Sequence, residues 1–181
     1  MSHQVKSLLL ATALAVSFMV PVSKASELEL GMTPSHVFGL WTNINACLLA
    51  VAGLHAQDTA WQGQLSAMTP QKFEDKKPSD VLDRVAEFRS KLDRLREAAG
   101  LDLTKKLDSG DGQVTPSVVF LNSGHVLNGL VDWSIRNSGP DFLVSRFYDR
   151  HAFDDKTPSD VFGLVDMANR RIDSILTKRG G

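Results

Sequence analysis

The side chains best suited to recognising another molecule are uncharged hydrogen-bonding groups set in apolar sequence. They are Thr42, Asn43 and Asn45 in one stretch and Asn122, Ser123, His125 and Asn128 in another. Amides and an imidazole among apolar walls can hold a small polar ligand without the cost of burying a charge. On that reading Asn43, Asn45, His125 and Asn128 line a ligand pocket. Turned outward, the same two stretches form an uncharged contact surface instead, with Trp41, Cys47 and His55 among its members. Cys47 is the single cysteine, so it either packs as a small apolar residue or pairs with another chain.

The motifs of catalysis and metal binding do not occur in the chain. There is no Cys-x-x-Cys-His for covalent haem, no Glu-x-x-His pair for a di-iron bundle, and no His-Glu-x-x-His, Gly-x-Ser-x-Gly or phosphate-binding glycine loop. His36 and His125 lie about 10 Å apart along the axis if their helices run parallel, too far to share a metal. Asp108-Ser-Gly-Asp-Gly112 offers no register of alternating acids before a glycine, so it is a turn and not a calcium loop. These residues predict no enzyme, no metal and no cofactor.

The elements that position them are written in a repeat. Phe73-Glu-Asp-Lys-Lys-Pro-Ser-Asp-Val-Leu82 returns as Phe153-Asp-Asp-Lys-Thr-Pro-Ser-Asp-Val-Phe162, with seven of ten positions identical. A weaker Pro-Ser-x-Val occurs at Pro34 and Pro116, so the four prolines are 44, 38 and 42 residues apart. Each copy reads as a helix start. In Thr157-Pro-Ser-Asp the threonine hydroxyl caps free amides, Pro158 takes the first helical position, and Asp160 faces the positive end of the dipole. Thr33 and Thr115 fit the same cap role; Lys77 does not, which predicts a weaker start for helix two.

Apolar residues then recur at steps of 4, 3, 4 and 3. Helix one gives Val37, Trp41, Ile44, Leu48 and Val51; helix two gives Val81, Val85, Phe88, Leu92 and Leu95. Helix three gives Val119, Val126, Leu130 and Trp133 with Ser123 as a polar break, and helix four gives Val161, Val165, Ala168, Ile172 and Ile175. Helices are predicted near 34–56, 78–99, 116–137 and 158–178, with Gly100, Gly139 and Gly180 past three of the ends. Four equal seams predict an all-α, antiparallel four-helix bundle built from a duplicated helix pair, its halves near 31–110 and 111–181. The connectors at 57–77 and 138–157 are long enough to hold short extra helices, for example Asp141–Arg150.

Charge is distributed unevenly over these helices. Helices two and four are laced with ions, whereas Val37 to Ala56 has none and helix three carries only Asp132 and Arg136. Helix one could lose its charges by burial under the connectors, by contact with a partner or another copy, or by insertion in a membrane. Asn43, Asn45 and His55 oppose the last of these.

Residues 1–25 read as a secretory signal: Lys6, an apolar run from Ser7 to Val22, and Ser23-Lys24-Ala25 ahead of a cleavage. That leaves one domain, 26–181, with no stable membrane span, in the periplasm or secreted. Cleavage leaves 18 basic and 21 acidic residues, a net of −3 and no footprint for nucleic acid. Of the 181 residues 43% are apolar and 23% charged, which excludes a disordered chain or a disulfide scaffold. The sequence therefore predicts an exported, non-enzymatic accessory or protein-interaction module that uses the uncharged surface of helices one and three, or pairs with itself there. The alternative is a periplasmic carrier or sensor of a small polar ligand, held between those helices.

Overall fold

A computed structural model describes residues 29–54, 58–107, 112–138 and 144–180. It is all-α: α1 (Pro34–Gly53), α2 (Thr59–Ala67), α3 (Pro78–Ala98), α4 (Pro116–Ser138) and α5 (Pro158–Gly180), with a 3-10 turn at Ser145–Tyr148 and no strand among the described residues. Helices one to four of the sequence reading are thus α1, α3, α4 and α5. The short α2 and the 3-10 turn occupy the connectors in which extra helices were expected. Residues 1–25, which the sequence reads as a secretory signal, lie outside the described residues.

The starts form as their chemistry dictates. The Asp160 carboxylate accepts from the Thr157 amide at 2.9 Å, while the Thr157 hydroxyl accepts from the Asp160 amide at 3.2 Å, closing a reciprocal cap. At α3 only half of this exists: Asp80 accepts from the Lys77 amide at 2.8 Å, and a lysine ammonium has no lone pair to return. At α1 the Nδ1 of His36 takes the acceptor role toward the Thr33 amide, at 3.0 Å. Gly100 ends α3 with φ at +70°, the left-handed cap expected there.

The four long helices pack in a ring of order α1, α5, α3, α4, around one core. They are parallel, which corrects the antiparallel arrangement expected from sequence. Pro34, Pro78, Pro116 and Pro158 meet Val37, Val81, Val119 and Val161 around a single void of about 10 Å³, so all four N-termini share one end. The connectors permit this order. A helix of this length spans about 30 Å, and ten or so extended residues return that distance. Residues 54–77, 99–115 and 139–157 are each long enough to carry the chain back to the starting end.

Parallel order turns the repeated seam into layers. Counted from the opening proline, positions 3, 7, 10, 14 and 17 of all four helices are core, and none of these twenty residues is more than 4% exposed. Each layer is filled to close packing, some by like side chains and some by large against small. Trp41 lies level with Val85, Ser123 and Val165, its ring edge-on to Phe88 with centroids 5.3 Å apart. Ser123, the polar break in the seam, accepts the Trp41 indole N–H at 2.9 Å. Its smallness makes room for the indole and its hydroxyl satisfies it.

Candidate interaction surface

The uncharged character of α1 has a structural cause. The helix touches α4 and α5 on its flanks, and α2 and the 3-10 turn cover it from outside. Pro34–Gly53 is long and apolar enough to cross a membrane by length and composition, yet Val37, Trp41, Ile44, Leu48 and Val51 spend that apolarity on the core. Trp41 and Cys47, expected on a contact surface, are both fully buried. Burial pushes the Cys47 thiol up to about 12, against a hydrogen bond with Ser134 at 3.7 Å that lowers it. Such a thiol is inert as a nucleophile. His55, the third expected member, lies outside the described residues.

The four proposed pocket residues are not brought together around a cavity. Asn43 and Asn45 are buried and already engaged. The Asn43 amide donates to the Asp149 carbonyl at 2.9 Å, and its Oδ1 lies 2.8 Å from Nε2 of His151, which ties the last connector onto α1. The Asn45 amide donates to the Trp41 and Leu164 carbonyls. Its Oδ1 accepts from Arg171 at 2.8 Å. His125 is half-buried and Asn128 is exposed, both on α4. An open dip of about 370 Å³ is lined by Lys76, Asp80, Asp83, Arg84, Glu87 and Phe162, and includes none of the four.

Arg171 is a clamp that sequence reasoning missed. The residue is 4% exposed, and its guanidinium donates to Asn45 Oδ1 and to the carbonyls of Leu65 and Met68, at the C-terminal end of α2. Burial, and then the neighbouring Arg170 charge, push its pKa below the usual guanidinium range. The negative end of the α2 dipole offsets part of that cost. The available signal was positional: Arg171 is thirteen residues from its proline, on the helix flank, whereas Arg170 is one step further outward.

The exposed apolar residues gather around α4. Among the described residues the large apolar side chains in the open are Leu30, Leu54, Leu103, Ile135 and Tyr148. Four of these border α4. The Leu30 amide donates to Ser117 Oγ at 2.9 Å, and the Tyr148 hydroxyl donates to Asn128 at 2.9 Å. Leu103 precedes Thr104, whose side chain lies against Gly129. Ile135 belongs to α4 itself and is 42% exposed. Between them the helix shows half-buried Leu121, Gly124 and His125 and exposed Asn128. Two charges share this face: Asp132, one turn beyond Asn128 and exposed, is paired with Arg96 at 3.0 Å, and Arg136 follows Ile135. Apart from that paired carboxylate and Arg136, the outer face of α4 carries apolar and amide groups. No protein-family model, curated protein or solved structure matches this chain.

Proposed function

We propose that the protein is an exported, non-enzymatic interaction module that docks another protein through the outer face of α4. The leader-like residues 1–25 support export to the periplasm or beyond, and the repeat supports a four-helix scaffold made by duplicating a helix pair. The observation that carries the function is the gathering of Leu30, Leu103, Ile135 and Tyr148 around one helix. The earlier assignment to both helices one and three narrows to helix three. Isolated exposed apolar residues need no explanation, but four set along one helix do. The small-ligand alternative loses support because Asn43 and Asn45 spend their amides inside the fold.

The test is a photo-crosslinking residue placed at Ile135 or Asn128 on α4, and at Arg94 on the exposed side of α3, in the exporting cell. Adducts are expected from the α4 positions and not from Arg94. With the crosslinker at Asn128, Ile135→Asp should abolish the adduct while circular dichroism stays unchanged. A folded protein that gives no adduct from either α4 position would overturn the reading.

A further inference from the structure

We propose that the first turn of α1 is an acid-sensitive clasp: protonation of His36 ends the cap that starts α1 and loosens the connector seated on it. The helix starts share a geometry but not a chemistry. At the third helical position α3 and α5 carry Asp80 and Asp160. Each carboxylate accepts an amide N–H, from Lys77 at 2.8 Å and from Thr157 at 2.9 Å. α4 carries Val118 there, and α1 carries His36. The His36 Nδ1 lies 3.0 Å from the Thr33 amide nitrogen and 2.9 Å from the Thr33 hydroxyl. A backbone amide can only donate, so Nδ1 holds the lone pair and the ring proton sits on Nε2. A second proton enters at Nδ1. The imidazolium then has two N–H donors and no acceptor, and the Thr33 amide loses its partner.

Carboxylate and imidazole caps fail at different pH. Aspartate ordinarily keeps its charge down to about pH 4, whereas histidine ordinarily changes charge between about pH 5 and 8. The imidazolium also meets an unfavourable field, because the four helix N-termini share one end and each carries roughly half a positive unit charge. The charged groups at this end are few. The segment before α1 gives Glu29, whose carboxylate accepts from Ser117 Oγ and the Gly31 amide. The connector on α1 gives exposed Asp154 and Asp155, and Lys156, whose ammonium stands 4.9 Å from the Phe38 ring. The first turn of α5 gives Asp160, held by Thr157, and that of α4 gives none. The cap and the connector meet at Ser35, whose Oγ accepts from the Lys156 amide at 3.1 Å. Higher on the same connector, His151 Nε2 lies 2.8 Å from Asn43 Oδ1. An amide oxygen only accepts, so this Nε2 donates and goes on donating when the ring is charged. Acid therefore undoes the His36 contact and spares that of His151.

The experiment follows imidazole nitrogen shifts and amide hydrogen exchange by NMR between pH 7.5 and 5.5. At pH 7.5 the His36 ring should carry its proton on Nε2 with Nδ1 bare. On going to pH 5.5, exchange corrected for its intrinsic pH dependence should rise about fivefold at residues 36–38 and at Lys156, the effect of losing one cap. The start of α3, residues 80–82, should not change. His36→Asp installs the cap used by α5 and should abolish the rise, while His151→Gln should keep it. His36→Ala should exchange fast at both pH values. A proton on Nδ1 at pH 7.5 would overturn the cap. No rise in the unaltered chain, or a rise that persists in His36→Asp, would overturn the clasp. A rise in α1 that leaves Lys156 unmoved would overturn the coupling to the connector.

Discussion

At the scale of single residues, two glycines separate close approach from open space. An ideal Cβ on Gly163 would stand 2.4 Å from the Gln71 carbonyl oxygen, and one on Gly53 would meet nothing within 4 Å. Gly163→Ala must therefore displace backbone and should cost about 1–3 kcal/mol in urea denaturation. Gly53→Ala, at the end of α1, should be neutral or raise stability by up to about 0.5 kcal/mol. Equal effects at the two sites would refute the close crossing at Gly163. Asp160 carries a pH dependence. The Thr157 amide, then its hydroxyl, lower the Asp160 pKa below the ordinary aspartate value. A depressed folded-state pKa gives stability that is complete above the unfolded value, near pH 4, and is lost as pH falls through the folded value. The acid limb of stability should be shallower in Asp160→Asn, and the native Asp160 carboxyl should titrate below the ordinary aspartate value by NMR. An ordinary titration would sink the assignment. This cap was legible in Thr-Pro-Ser-Asp; the Arg171 clamp was not, because the ionic pattern of helix four hid which arginine turned inward.

At the scale of elements, the repeat encodes a fastening as well as a helix start. The segment before α3 lies on the first turn of α5: the Lys76 amide donates to Ser159 Oγ at 3.1 Å, and Phe73 meets Phe162 with centroids 4.7 Å apart. The segment before α5 lies on α1 in the same way, Lys156 to Ser35 at 3.1 Å and Phe153 on Phe38 at 4.9 Å. Each lysine also sits over the ring its segment covers, at 4.8 Å and 4.9 Å. Asp75 and Asp155 take the same left-handed turn, φ 55° and 56°. The acceptors share Pro-Ser-x-Val-Phe-Gly, where glycine admits the crossing strap. Sequence comparison displayed both halves of this device but not that one fits the other, since their contact is long-range. Phe73→Ala should therefore speed hydrogen exchange in residues 71–77 and the first turn of α5, at a cost of about 2 kcal/mol. Phe153→Ala should do the same for residues 151–157 and the start of α1. Release of the opposite strap in either variant would contradict the pairing.

At the scale of the whole molecule, the layers follow from helix direction, and direction was the part least legible in the chain. Caps mark where a helix starts, and the 4-3-4-3 spacing marks which face is buried; neither says which way a neighbour runs. Long connectors permit both orders. What decides is register across the ring. Position 11 of one helix reaches position 6 of the next, Asn45 to the Leu164 carbonyl and Asn169 to the Arg84 carbonyl, both at 3.2 Å. Arg89 repeats the step to Asn122 Oδ1, also at 3.2 Å. Lys91 and Asp173, 2.8 Å apart, lie at similar heights on α3 and α5. Cys47 and Ser134 provide a covalent test of this order. Their Sγ and Oγ are 3.7 Å apart across α1 and α4, so Ser134→Cys sets two sulfurs within a small shift of bonding distance. Counted from the shared end, these positions are about 7.5 Å apart along the axis, and reversing α4 would move them to about 14 Å, beyond the reach of a disulfide. Folded in an oxidising compartment, Ser134→Cys should lose two hydrogens, run faster on a non-reducing gel and gain up to about 4 kcal/mol from the long loop it closes. Two free thiols after unfolding in the absence of reductant would show that α1 and α4 do not run side by side in this register.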